Sequence, residues 1–481
     1  MEMRFSEEKY NEMIEKLFTR FPSFQKAGAS AYKPGIANME FIDSLMGHPH
    51  AKYDIIHVAG TNGKGSVSNM LASSLAACGL KVGLYTSPHI LDFRERMRTV
   101  SGTAVYELVS KEYVWDFMGR WGEIFDHLNL SFFEITTIMA LQWFADENVD
   151  MVVLETGLGG RLDSTNIITP VLSVITNIGL DHCDMLGETL PEIAFEKAGI
   201  IKPCVPVVVG ESHPETDSVF ERKVLYTNLP EPSFAGDRKS ILSLLTFADK
   251  TLPPLWEEHE EILAQMDLQG AYQRKNLRTV LTALSVLADT FHTSSGKSWK
   301  IRQEQGGPST LSLENCGRCL RDALINTAQR TGFRGRWEKI SDSPLTICDI
   351  GHNEHGLRYN FAQLSQMKAQ GRITDFIIVY GSVADKDVDA VLHLIPEEAI
   401  CIFTQAQSKR ALAAEKIREK YLDFHAALSS YSVTSYVREN VADAVELART
   451  IAAEIQEDTP QARPLIYIGG STYVVSEAVT L

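Results

Sequence analysis

The chain has no apolar run approaching the length of a membrane span, no surplus of basic residues and no framework of regularly spaced cysteines. The first absence excludes a membrane-spanning helix. With 46 Lys and Arg against 62 Asp and Glu, the net charge is −16, which disfavours nucleic acid as the main partner and requires any anionic ligand to find a local basic site. Seven cysteines, an odd number scattered through 481 residues, fit a reducing compartment, and no disulfide is expected. Cys316 and Cys319 form a lone C-x-x-C without a second pair, so they read as free thiols in a helical segment and no metal is assigned to them. The first eight residues are polar and acidic where a secretory signal would be basic and then apolar, so the expectation is a cytoplasmic protein. No internal repeat or low-complexity tract is evident. The length suits two domains.

The most informative feature present is the run Ile55 to Ser66. An apolar strand-like segment breaks at Gly60-Thr61-Asn62-Gly63-Lys64-Gly65-Ser66, and a helical pattern follows from Val67 to Ala77. Glycines let backbone N–H groups curl around an anion, Lys64 adds a point charge, and the helix presents its positive end. The spacing is not that of the common P-loop, because Gly65 separates Lys64 from the hydroxyl of Ser66, and Gly60 lies only three positions before Gly63.

Further strand-like runs are expected at Val82–Thr86, Met151–Glu155, Val171–Thr176 and Val205–Val209, with helices between several of them, which implies a mostly parallel sheet. The stretch from His292 to Pro308 lacks periodicity and reads as a surface insertion. Beyond Gly332 the alternation resumes, with strands at Leu345–Ile350, Phe376–Gly381, Ile400–Thr404 and Leu465–Ile468, and helices at His355–Gln370, Val388–Leu394 and Val441–Ile455. The expectation is an α/β protein of two domains, residues 1–331 with a phosphate loop and a mostly parallel sheet, and residues 332–481 as a smaller Rossmann-like domain.

Glu155 ends an apolar strand and precedes Thr156-Gly157-Leu158-Gly159-Gly160, where an acid at a sheet's C-terminal edge can hold the Mg²⁺ that accompanies a nucleotide. The next strand ends in Thr176-Asn177 and leads to Asp181-His182. His182 can ligate a metal, although a lone His is more often a structural hydrogen-bonding residue, so the metal assignment needs its neighbours. Lys197 follows Glu196, and the plain reading is a helix-end lysine paired to that acid.

Seven ordered segments resemble those of the Mur ligase superfamily: Gly60–Ser66, Thr86–His89, Glu155–Asn166, Leu180–His182, Glu196–Lys202, Gly270–Asn276 and Asp349–Asn353. Within it the chain looks like the folylpolyglutamate synthases, in particular the bacterial type that often doubles as dihydrofolate synthase. The resemblance runs from about residue 20 to the C-terminus. It implies that Gly60, Thr61, Asn62, Gly63, Lys64, Gly65 and Ser66 wrap the phosphates of ATP, and that Asn276, Arg336, Asp349 and His352 contribute further ATP contacts. It implies that Ser87, Glu155, His182 and Lys197 hold Mg²⁺, as two ions, with Lys197 carbamylated to N6-carboxylysine. Lys64, Lys197 and His182 become the catalytic set. Pterin contacts fall on Phe132, Phe133 and Glu134 and on Leu162, Asp163 and Ser164, a phenylalanine offering a stacking face for a flat ring. Two departures stand out. The family's D-G-A-H-N-P reads Asp349-Ile350-Gly351-His352-Asn353-Glu354 here, so a different local turn is expected, and the segment after Pro88 carries Arg94, Arg96 and Arg98, which suit either a carboxylate ligand or a solvated loop.

The implied reaction is ATP-dependent joining of a folate or dihydropteroate carboxylate to the amine of L-glutamate through an acyl phosphate. The expected active site lies in an interdomain cleft whose closure excludes water. The partners are then small molecules, with no nucleic acid, no membrane and a monomeric chain. Two other readings compete. A nucleotide-dependent switch would not need His182, Lys197 or the second domain. A cell-wall Mur-type amino-acid ligase would carry an extra N-terminal domain, whereas about 50 residues precede the loop here.

Overall fold

Short apolar runs alternating with helices build two sheets, each with its own core. The computed structural model describes residues 5–21, 35–102, 106–229, 241–254, 256–293, 313–428 and 433–481. One unit comprises Met1–Asp267 and Gln273–Phe333, the other Leu268–Tyr272 and Arg334–Leu481. The stretch His292–Pro308, read as an insertion, falls almost wholly outside the described residues, as does the side chain of Cys316.

Among the described residues the larger unit holds eight strands: β1 (Asp54–Ala59), β2 (Lys81–Tyr85), β3 (Met97–Ser101), β4 (Glu107–Leu108), β5 (Met151–Glu155), β6 (Leu172–Ile175), β7 (Val207–Val209) and β8 (Leu245–Phe247). Their order is β4-β3-β2-β5-β1-β6-β7-β8. From β2 to β8 the pairing is parallel, while β3 and β4 add an antiparallel edge. Strands covered on both faces read as continuous apolar runs, and β2, β5 and β6 are buried along nearly their whole length. The helix Lys64–Ala77 is buried on nearly every side, which explains its small residues: Ala72, Ser73, Ser74 and Ala76 let neighbouring elements approach closely.

The second unit has β9 (Glu338–Asp342), β10 (Leu345–Asp349), β11 (Asp375–Tyr380), β12 (Ile400–Thr404), β13 (Ser435–Arg438) and β14 (Pro464–Gly469) in the order β13-β12-β11-β14-β10-β9. All neighbours are parallel except β9, which runs antiparallel to β10. The expected helix at Val388–Leu394 shrinks to Asp389–Leu392, because Pro396 limits its extension. Among the described residues no helix is long and apolar enough to cross a membrane.

Candidate active site

In the first sheet β1 is central, flanked by β5 and β6, so the loop after it is bordered by neighbouring strand ends, where ligands of parallel sheets collect. The segment after β6 clamps the loop. Thr61 N–H donates to the Asn177 carbonyl at 2.9 Å, Asn62 N–H to Asn177 Oδ1 at 2.9 Å, and Thr176 Oγ1–H to the Asn62 carbonyl at 2.5 Å. Gly60 has φ +148° and Gly63 φ +85°. A Cβ on Gly60 would collide with the Thr176 hydroxyl, and one on Gly63 with the Asn276 amide, so close approach as well as φ demands glycine at both.

Asn276 lies on the helix Gln273–Thr293. Its Nδ2 donates to Gln273 Oε1 at 2.8 Å, and Gln273 Nε2 donates to Ser66 Oγ at 3.2 Å. Gln273 is thus a fully buried residue at the loop that the sequence reading passed over; its position one turn before Asn276 was the available signal.

Lys64 Nζ donates to the carbonyls of Gly60 at 3.0 Å and Thr61 at 3.2 Å. Lys197 comes to the same place. It ends the helix Leu190–Lys197, is buried, and its Nζ donates to the Gly60 carbonyl at 3.0 Å. The expected Glu196 partnership does not form. Glu196 Oε1 instead accepts from Arg161 at 2.8 Å, because successive helical side chains diverge by about 100° and only one of the pair can face inward. Burial, aided by the nearby charge of Lys64 and opposed by Asp181 and Asp163, pushes the Lys197 ammonium down to about 7.

Glu155, 3% exposed, pairs in register with Val58 of β1 and accepts from Ser87 N–H at 3.3 Å. The neighbouring Thr156 hydroxyl is buried without a hydrogen-bond partner among the described residues. His182 adopts a left-handed conformation, φ 54°, and its Nε2 lies 3.8 Å from Asp181 Oδ1. The structure thus joins Ser87 to Glu155 and Lys64 to Lys197, with Asp181 linking the His182 turn to the field around Lys197.

Asp163 and Glu134 have definite internal work. Asp163 accepts from the N–H groups of Gly157, Leu158 and Thr165 and from the Thr165 hydroxyl, the four bonds two carboxylate oxygens can take. It thereby shapes the loop that carries Leu162 and Ser164. Glu134 accepts from Ser131 N–H at 2.6 Å while Ser131 Oγ accepts from Glu134 N–H at 3.2 Å, a reciprocal cap on the helix Phe132–Asp146. Replacing Ser131 by alanine should cost ~1 kcal/mol of stability, as N-cap removal typically does; an unchanged urea midpoint would show that the cap contributes nothing. Phe132 stacks on Phe18 at 4.8 Å and has the Arg96 guanidinium 5.1 Å from its centroid, so its ring is already covered. Phe133, only partly buried and against Gly157, keeps an accessible face.

The arginine segment is folded on itself. Arg94 pairs with Asp92 at 2.7 Å, Arg96 Nε donates to His89 Nδ1 at 2.8 Å, and Arg98 donates to the Thr331 carbonyl and Thr86 Oγ1. Arg96 and Arg98 are buried, which corrects the solvated-loop alternative for both.

In the second unit, Asp349 ends β10 and accepts four hydrogen bonds: Tyr272 O–H at 2.6 Å and Trp337 N–H at 2.8 Å on Oδ2, Gly351 N–H at 2.7 Å and Asn360 Nδ2 at 2.9 Å on Oδ1. Arg336 adjoins Trp337 and donates to the Gly335 carbonyl at 3.2 Å. His352 Nδ1 is 3.0 Å from the Ile350 carbonyl. Asn353 caps the helix Glu354–Ala369 through Gly356 N–H at 2.8 Å. Glu354 takes the first helical position, where proline is favoured and an acid suits the helix dipole, so the altered sequence still closes a capped turn.

The glycine-rich loop, the strand-end acid and the second, mostly parallel unit fit an ATP-using ligase, and the matches to known proteins show that class. Residues 58–283 match the Mur ligase middle domain and residues 335–458 the Mur ligase glutamate ligase domain. Dihydrofolate synthase/folylpolyglutamate synthase of Bacillus subtilis is 33% identical over 363 residues, 74% of this chain and 76% of that protein. Two solved structures share the fold. Mycobacterium tuberculosis folylpolyglutamate synthase, complexed with ADP and AMPPCP, has a TM-score of 0.74 at 23% identity over 99% of this chain and 98% of its own. The Yersinia pestis bifunctional folylpolyglutamate synthase/dihydrofolate synthase, complexed with AMPPNP and Mn ion, has a TM-score of 0.67 at 24% identity over 98% and 97%. The chain belongs to the folylpolyglutamate/dihydrofolate synthase family of the Mur ligase superfamily.

Proposed function

We propose that this protein is an ATP-dependent ligase that adds L-glutamate to a folate carboxylate, and to dihydropteroate as well, through an acyl phosphate. The observation that carries the reading is the convergence of Lys64 and Lys197 on the Gly60 carbonyl, beside strand ends bearing Glu155 and Ser87. A carboxylate is a poor electrophile toward an amine. Attack of its oxygen on the γ-phosphorus of ATP expels ADP and leaves a mixed anhydride; the glutamate nitrogen then forms the amide and releases phosphate. Lys64 and the loop N–H groups hold the phosphoryl oxygens as charge develops. Asn276 packs against Gly63, and Gln273 positions Ser66.

The residues fit magnesium. The buried Glu155 carboxylate, the Ser87 hydroxyl and the unsatisfied Thr156 hydroxyl are hard oxygen donors, with His182 added from the following turn, and the Yersinia pestis complex supports use of a nucleotide with a divalent metal. Bound there, one or two ions would screen carboxylate from γ-phosphate. Lys197 is suited to carbamylation: buried beside Lys64, with no acid among the described residues accepting from its Nζ, its neutral amine can attack CO₂ and lose a proton, gaining the oxygens a hard cation prefers.

Phe133, Leu162 and Ser164 would contact the pterin, with Phe132, Glu134 and Asp163 shaping that surface. Arg336, Asp349 and His352 serve ATP from residues 332–481, Asp349 by fixing the Trp337 backbone beside Arg336. The protein is a cytoplasmic monomer acting without nucleic acid or membrane. The test is phosphate release with ATP, Mg²⁺ and L-glutamate, comparing dihydropteroate with tetrahydrofolate and weighing each product. Release with an added glutamyl mass on both substrates is expected. Release unaffected by either pterin, without mass gain, would return the switch or a cell-wall substrate to the front.

A further inference from the structure

The helix Ala37–Leu45 buries Met39 and Ile42 and, beside them, the carboxylate of Asp43. This is a poor place for a negative charge. It is 3% exposed, and it lies in the last turn of the helix, whose C-terminal end is itself electrically negative. The chain then folds back over it. Met46 N–H bonds the Ile42 carbonyl and His48 N–H the Asp43 carbonyl; Gly47 and His48 take left-handed conformations, φ 76° and 56°; and Pro49–Lys52 forms a 3-10 turn. This path brings two imidazoles onto the one acid. His48 Nδ1 lies 2.7 Å from one Asp43 oxygen and His50 Nδ1 2.7 Å from the other. Each oxygen of the buried carboxylate thus faces one imidazole nitrogen.

We propose that Asp43, His48 and His50 form a binding site for a zinc-class divalent cation, which fastens the end of the helix Ala37–Leu45 to the turn that enters β1. The three donor atoms lie within 4.8 Å of one another, and among the described residues this is the group of His, Cys, Asp and Glu side chains so arranged. Two imidazole nitrogens and one carboxylate oxygen suit Zn²⁺, Co²⁺ or Ni²⁺ and not Mg²⁺, which prefers oxygen alone. A cation there would add positive charge beside a buried carboxylate in the last turn of a helix, where the helix dipole disfavours an acid. When it binds neutral rings, each imidazole moves its hydrogen from Nδ1 to Nε2, so no net proton is released. The side chain of His48 is 58% exposed, which leaves a solvent-facing position for a water as fourth ligand.

The site is separate from the ligase chemistry. It precedes β1, whereas the phosphate loop follows it, and six residues of strand between them span about 17 Å. Activity in Mg²⁺ and ATP should therefore survive its loss.

The experiment titrates ZnCl₂ alone into chelator-treated full-length protein held in millimolar Mg²⁺, by calorimetry, with Co²⁺ as an absorbance probe of nitrogen ligation. Wild type is expected to bind one equivalent. The double variant His48→Gln with His50→Gln should bind at least 10-fold more weakly and lose the Zn²⁺-dependent rise in thermal midpoint, while its glutamate ligation is unchanged. Absence of Zn²⁺ binding by wild type, or equal affinity in the variant, overturns the proposal. Should the double variant misfold, His48→Gln alone, altering an exposed ring, carries the same comparison.

Discussion

Lys64→Ala should lower kcat by about 10²–10³-fold, the ~2.7–4 kcal/mol that follows loss of one preorganised donor to developing charge, while leaving the fold intact. Lys64 starts the helix Lys64–Ala77, and its Nζ rests on the carbonyls of Gly60 and Thr61. Those carbonyls are weak partners for an ammonium, and phosphate oxygens would outbid them with full charge. A positive residue at a helix N-terminus opposes the macrodipole, so removing it should not destabilise the protein. Lys64→Arg should rescue little, since a planar guanidinium cannot replace a compact ammonium inside a closed loop. Single-turnover phosphate release with tetrahydrofolate measures the effect, and retention of more than a third of wild-type turnover would remove Lys64 from the mechanism.

Lys197→Met should be comparably damaging to turnover, about 10²-fold or more if one electrostatic contact to the reacting groups is lost, and it should do so with the opposite signature in stability. The Lys197 amine is held near 7 against an ordinary 10.5. The unfolded chain therefore binds one proton more than the folded chain between those values, so this residue makes wild-type stability rise as pH climbs from about 7 to about 10.5, with its full penalty present below about 7. Methionine fills nearly the same volume without a charge. In CO₂-free buffer the variant should be the more stable protein at pH 7, with the difference shrinking toward pH 10.5. Urea unfolding at both ends of that window, beside turnover, decides the matter. A variant that keeps its activity would exclude Lys197 from catalysis, and one that unfolds more easily at pH 7 would contradict the penalty that burial places on the ammonium.

Much of the framework was legible along the chain. Glycines at 60, 63 and 65 around one lysine announce a turn whose backbone must face an anion, and runs such as Met151–Glu155 announce strands covered on both sides. These are local properties of spacing and composition. Strands without a long apolar run escaped: β3, buried in four of its five residues but mixing Arg98, Thr99 and Ser101 with Met97 and Val100, the partly exposed edge strand β9, and β8, three residues long. Leu268–Tyr272 also escaped. It joins the second unit through Tyr272 to Asp349 and Ala271 to Gln363, bonds 77 and 92 residues apart that no window of sequence contains.

The sequence by itself determined the phosphate loop, the parallel sheets and the order of chemical groups at their edges, because each depends on neighbours within one element. Only the tertiary structure decided which side chain meets which. Lys197 turned from the adjacent Glu196 to a carbonyl 137 positions away, Gln273 reached Ser66 across 207, and Asp349 and Asp163 each gathered four donors. Such pairings are settled by which buried polar groups remain to be satisfied once the elements pack, and that demand does not exist until the fold has formed.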